Sequence, residues 1–274
     1  MNAEEKQRLS QGDTPPGQAA HLNEIRHVVA VLSGKGGVGK SLISGLLAVS
    51  LRQAGHRVGV LDADITGPSI PKMFFPNGAR PGASPVAMLP AESRTGIKVM
   101  SINLLLESED QAVVWRGPLI GRAIQPFWGD VLWGALDYLV VDLPPGTSDA
   151  SLTVMQSMPL SGVLLVTSPQ DLAGMVVRKA AQMAQHMGIP ILGLVENMSY
   201  FVCPDTGKRY DLFGSSHAEE MAARLAVPFL GRLPIDPQIA RLCDAGRIEE
   251  YPIEAFGAIA QRLTEMAPRA RRFG

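Results

Sequence analysis

The 274-residue chain balances 25 Lys and Arg against 26 Asp and Glu, for a formal net charge of -1, and 46% of its residues are hydrophobic. This balance provides no global field to draw in nucleic acid or an anionic membrane, while the apolar content is enough for one large core. No apolar run is long enough to span a bilayer, and Met1 to Ser10 is polar with no signal-peptide core. Only Cys203 and Cys243 are present, too few for a disulfide framework, so a cytoplasmic protein with reduced thiols is expected.

Residues 1–24 are rich in Gln, Glu, Pro and Gly and carry no apolar period, which predicts a polar, flexible N-terminal arm ahead of a single domain over 25–274. A strand over His27 to Ser33, a helix from Gly39 to about Ala54 and a strand over Arg57 to Leu61 make a βαβ unit. Phe74 to Gly96 is rich in Pro and Gly and reads as a long surface excursion. Further buried-strand candidates are Lys98 to Ile102, Tyr138 to Val141, Gly162 to Thr167, Ile189 to Val195 and Val227 to Gly231, with helices after most of them. Their near-continuous Val, Leu and Ile runs fit strands covered on both faces, so the expected fold class is α/β, a doubly wound, mostly parallel sheet. Ile253, Phe256, Ile259, Ala260 and Leu263 recur at helical spacing and predict a terminal helix packed on the core, followed by a solvated basic tail with Arg269, Arg271 and Arg272.

The chemistry concentrates where the first strand meets the first helix. Gly34-Lys35-Gly36-Gly37-Val38-Gly39-Lys40-Ser41 follows the apolar strand Val28 to Leu32 and opens a helical pattern, which is the context a phosphate-binding P-loop requires. Its glycines permit a tight turn whose N–H groups face phosphate oxygens at a helix N-terminus. Lys40 is placed to reach the β- and γ-phosphates of ATP, and Ser41 to ligate Mg²⁺. A dinucleotide fingerprint would not call for this lysine and serine. Two further strand patterns end in aspartates, Val58 to Leu61 in Asp62-Ala63-Asp64 and Tyr138 to Val141 in Asp142. Ligands of open α/β sheets bind off the carboxyl ends of strands, so both groups are expected to face the phosphate loop, although an aspartate ending a strand also serves simply as a turn or cap residue.

Lys35 is a second lysine inside the loop, and with it the string resembles the deviant Walker A motif of the MinD, ParA and nitrogenase iron protein superfamily. That resemblance implies an ATP-dependent sandwich dimer in which Lys35 reaches the partner's nucleotide; from the residues alone it is equally a solvated lysine. It also implies that Asp142 holds Mg²⁺ as the Walker B residue, that Asp62 supports the metal shell and that Asp64 orients the attacking water. Asn197, Pro234 and Asp236 match the superfamily's adenine-binding positions, though Asn and Pro-x-Asp are common turn chemistry.

The strings Asp62 to Ser69, Trp115-Arg116-Gly117-Pro118, Leu136 to Thr147 and Val195-Glu196-Asn197-Met198-Ser199 together resemble the Mrp/NBP35 (ApbC) family of iron–sulfur cluster carriers over residues 26 to 252. The resemblance implies a homodimer that hydrolyses ATP slowly, holds a [4Fe–4S] or other Fe–S cluster and passes it to apoproteins, with neither nucleic acid nor membrane as partner. A MinD- or ParA-like dimerising scaffold without a cluster is the alternative. The family's Cys-Pro-x-Cys is broken here: Cys203-Pro204-Asp205 is followed by Thr206, a poor ligand for soft iron, so only Cys203 is a cluster ligand candidate. Cys243 falls in a helical pattern and reads as a small buried hydrophobe.

Overall fold

The run of apolar residues after His27 becomes the centre of the sheet. In the computed structural model, residues 21–64, 67–84, 87–105, 127–147 and 149–270 are described. The arm residues 1–20, the Ile65-Thr66 and Trp115 to Pro118 parts of the family strings, and Arg271 and Arg272 lie outside them.

Strand β1 (Glu24–Ser33) lies parallel between β7 (Ala135–Asp142) and β8 (Gly162–Thr167). Outward from β7 come β2 (Val58–Asp62), β6 (Lys98–Ser101) and the antiparallel β5 (Ala91–Glu92); outward from β8 comes the long β9 (Ile191–Val202). Phe201 of β9 pairs with Ile235 of the parallel β11 (Phe229–Ile235) and with Tyr210 of the antiparallel β10 (Arg209–Tyr210), so these two flank opposite edges of β9. A small antiparallel pair, β3 (Gly82–Ala83) and β4 (Met88–Leu89), stands apart.

Period-two alternation distributes the strand side chains between two cores. Val28, Ala30 and Leu32 face the core that includes α3 (Asp149–Ser157), α4 (Asp171–His186) and α5 (Ala218–Leu225). Val29 and Val31 face the other, with α1 (Lys40–Gln53), α2 (Ile70–Phe74), α6 (Pro237–Asp244) and α7 (Glu254–Met266). Both faces are thus covered, as the unbroken apolar runs require. The terminal helix packs as its spacing predicts, with Phe256, Ile259, Ala260 and Leu263 all buried.

Several boundaries differ from the sequence expectation, among them that of β9, which runs on past Val195 to Val202. β1 starts at Glu24, pulled in by Asn23, whose side chain bonds Val131 O and Gly134 N. The excursion after Phe74 contains three short strands, one of which extends the main sheet. β11 runs to Ile235, so Pro234 and Ile235 sit inside a strand rather than after one; β11 is an edge strand, where a missing N–H is tolerated.

At the opposite end from the phosphate loop, Asp137 ties β7 to the start of β2. It accepts from Arg57 N at 2.9 Å and from both ends of the Arg57 guanidinium at 3.2 and 3.0 Å, with Arg26 3.1 Å away. The Arg57 side chain is the main cause that holds the Asp137 carboxyl at about 2, against an ordinary 3.8. Because the folded-state value is depressed, this contribution is complete above about pH 4 and is lost as pH falls toward 2. Asp137→Asn should therefore lower stability to urea by about 1–2 kcal/mol at neutral pH, the arginines being largely solvated, and the gap from wild type should narrow in that acid window.

Candidate functional site

The phosphate loop leaves β1 at Ser33, where a side chain at Gly34 would come within 2.5 Å of the Val176 carbonyl carbon on α4. Glycine is therefore required by the close approach of that helix. Gly39, at φ 81°, turns the chain into α1, and no side chain caps the helix there. Its first N–H groups are left to converge at the loop, the arrangement that binds phosphate.

Behind the loop, Asp142 ends β7 fully buried and is saturated by three side chains of α1. Lys40 Nζ lies 2.7 Å from its Oδ1, Ser44 donates to the same oxygen at 2.6 Å, and Ser41 donates to Oδ2 at 2.6 Å. Lys40 is itself 6% exposed. Residues 40, 41 and 44 share one helical face, so a single carboxylate gathers all of them. Ser44 was not singled out from the sequence, although its spacing from Ser41 is a usable signal.

Asp62 pairs in register with Asp142 across β2 and β7. Its oxygens accept from the N–H groups of Asp64 at 3.2 Å, Ser69 at 3.0 Å and Ile70 at 3.1 Å, so it organises the turn into α2. Burial first, and the neighbouring Asp142 carboxylate second, push the Asp62 carboxyl up to about 8. Two buried carboxylates thus face one buried ammonium. The charge balance and the hard oxygens of Ser41 and Asp142 fit a Mg²⁺ ion, with Asp62 behind them. Asp64 is nearly buried on the same turn, its carboxylate accepting from Gly67 N at 3.3 Å.

The other expected residues divide between the loop and its surroundings. Lys35 points away from Asp142 and donates to Gln170 Oε1, at the start of α4. Buried Asn197 donates to Val38 O at 3.0 Å, so its amide N–H₂ braces the phosphate loop. Met198 adopts φ 55° within a shift of the β9–β11 register, and this bulge lets Glu196 and Ser199 hydrogen-bond each other. Pro234 pairs with Tyr200. Asp236 caps α6 through Gln238 N at 2.8 Å and accepts from Tyr251 Oη at 2.8 Å, which pushes the Tyr251 phenol up along with burial.

Cys203 lies where β9 turns into β10. The turn closes through Cys203 N to Lys208 O at 2.9 Å and Gly207 N to Cys203 O at 2.8 Å. The Thr206 side chain first, and then the Asp205 and Thr206 N–H groups, pull the Cys203 thiol below its ordinary value. The residue in the place of a second cysteine thus stabilises the first as thiolate. Cys243 on α6 is pushed up to about 11, chiefly by burial, as expected of an unreactive thiol.

A protein-family model described as "ParA: NUBPL iron-transfer P-loop NTPase" matches residues 24–267. The chain belongs to this family. It is 44% identical over 250 residues to an iron–sulfur cluster carrier protein of Methanocaldococcus jannaschii, covering 89% of this chain and 86% of that one. It is 43% identical over 263 residues to the cytosolic Fe–S cluster assembly factor NUBP2 of Bos taurus, covering 92% and 97%. Among solved structures, a nucleotide-binding protein of Archaeoglobus fulgidus in complex with ADP superposes with a TM-score of 0.76 at 46% identity, over 85% of this chain and 91% of the other. The MinD cell-division ATPase of Pyrococcus furiosus shares the fold, with a TM-score of 0.62 at 21% identity over 88% and 99%. The doubly wound P-loop NTPase fold and the iron-transfer family expected from the motifs are both shown. No described helix is long and apolar enough to cross a membrane.

Within this NTPase family member, Asn197→Ala would strand the buried Val38 carbonyl and release the loop from β9. Urea unfolding should show a loss of about 1–3 kcal/mol. A wild-type midpoint and slope would show that Asn197 does not brace the loop.

Proposed function

We propose that the protein is an ATP-hydrolysing iron–sulfur cluster carrier that works as a homodimer and hands clusters to apoproteins. The observation that carries the nucleotide part is the gathering of Lys40, Ser41 and Ser44 on Asp142 directly behind the phosphate loop. With ATP in the loop, Lys40 exchanges part of its contact with Asp142 for the β- and γ-phosphates, and Ser41 and Asp142 hold Mg²⁺, which offsets the phosphate charge. Asp64, on the turn held by Asp62, orients the attacking water. Asn197, Pro234 and Asp236 border the adenine.

Lys35 acts on the partner's nucleotide. Its bond to Gln170 is solvent-exposed, so little free energy opposes its transfer to a phosphate across a dimer. Lys40→Ala should weaken ADP binding about tenfold or more. Lys35→Ala should leave ADP affinity of the monomer near wild type and lower ATP-driven dimerisation and turnover. Equal losses of monomer ADP affinity in the two variants would overturn this division of roles.

The cluster is cargo, and Cys203 is its proposed protein ligand. One thiolate per chain gives two per dimer, with the remaining iron sites filled by small thiols, water or Asp205. The names of the relatives and the lowered Cys203 thiol support this reading, and the Thr206 position makes the bound cluster labile. After anaerobic reconstitution, wild type and Cys203→Ser should differ in iron content and visible absorption, and Cys243→Ser should match wild type. A full cluster in Cys203→Ser would defeat the assignment. No cluster in any variant, with ATP-driven dimerisation intact, would favour a nucleotide-switched scaffold.

A further inference from the structure

A cavity of about 350 Å³ opens on the α4–α5 face of the sheet, the face opposite α1. Its volume lies in the range of small-ligand sites. The floor is formed by Ser168 and Pro169, which follow β8, and by Glu196 of β9. Glu196 is 1% exposed and Ser168 6%. One Glu196 oxygen accepts from Ser199. The other oxygen and the Ser168 hydroxyl have no hydrogen-bond or ion partner among the described residues. A buried carboxylate oxygen without a donor is costly, and one that lines a cavity asks for a donor from a ligand.

The rim has the opposite sign. Arg178 and His217 are exposed and unpaired among the described residues, and Arg224 stands 3.9 Å from Glu220, a loose pair. The gradient runs from an acceptor at the floor to cations at the mouth. An anion would be repelled from the floor, and a simple cation would find at the rim only Glu220, which already faces Arg224. A molecule with an amine at one end and a carboxylate at the other satisfies both.

We propose that this cavity is a second small-molecule site, separate from the phosphate loop, for a short peptide or similar amino-carboxylate, with its ammonium on Glu196 and Ser168 and its carboxylate on Arg178. Gln170, also on the rim, is the acceptor for Lys35, so the site lies one side chain away from the phosphate loop. The proposal does not depend on cluster binding or on ATP hydrolysis.

Titration of the full chain with alanyl-alanine, N-acetyl-alanyl-alanine and alanyl-alanine amide, followed by calorimetry and by backbone NMR shifts, tests it. The free dipeptide should bind saturably with shifts around Ser168, Glu196 and His217, and blocking either end should weaken it about tenfold. Glu196→Gln should abolish discrimination against the acetylated peptide, and Arg178→Ala discrimination against the amide. If Glu196→Gln melts early, Arg178→Ala decides, since its side chain lies on the surface. Equal binding of the three peptides, shifts confined to the phosphate loop, or no saturable binding would overturn the proposal.

Discussion

The buried carboxylate of Asp142 governs the arrangement around it. An ion removed from water costs several kcal/mol unless its partners are well placed, and Asp142 meets this with an ammonium and two hydroxyls from one helix face. The same contacts fix the rotation of α1 about its axis and its height above β7, and hence the direction in which the helix N-terminus points. They also give Lys40 a partner before any phosphate arrives. A nucleotide with Mg²⁺ held by Ser41 and Asp142 would replace one charge balance with another, leaving no uncompensated ion. The raised carboxyl of Asp62 has the same origin, since a second carboxylate beside Asp142 is one more negative charge than Lys40 can offset.

Strand β9 links this centre to the thiol. Asn197 braces the phosphate loop from the middle of the strand, and Cys203 begins the hairpin just past its end. The six intervening steps span roughly 20 Å of extended chain. β11 follows β9 along most of that stretch, so the two positions are connected by paired backbone rather than by a loose loop. A movement of the phosphate loop that pulled on Asn197 would act directly on the strand that carries the cysteine.

The sequence was most legible where a period or motif has one physical explanation. The unbroken apolar runs read as strands covered on both sides, and glycines followed by Lys40 and Ser41 after such a run read as a phosphate turn. Legibility failed where tertiary partners decide the outcome. The apolar run suggested a strand ending at Val195, yet pairing with β10 and β11 carries β9 on to Val202, and a bulge at Met198 absorbs the change of register. Pro234 argued for a turn and is accepted in β11 because that strand is at an edge. Gln170 has no local pattern to announce it, since it matters only because folding brings α4 against the phosphate loop. Asn197 and Asp236 were recognised as important positions, but their contacts to Val38, Gln238 and Tyr251 depend on residues remote from any motif.

Thr206 sets the chemistry of the hairpin that carries Cys203. A cysteine there would add a second soft ligand; the threonine instead lies beside Cys203 and lowers its thiol from the ordinary value. A thiolate favoured in this way is a readier nucleophile and metal ligand than an ordinary thiol, yet one sulfur cannot satisfy several irons. On the proposed reading, firm binding of a cluster would require a second chain, whereas nucleotide binding would require only the residues of one. The two proposed activities would then differ in their dependence on association, and any condition that brought the chains together would affect the sulfur site more than the phosphate loop.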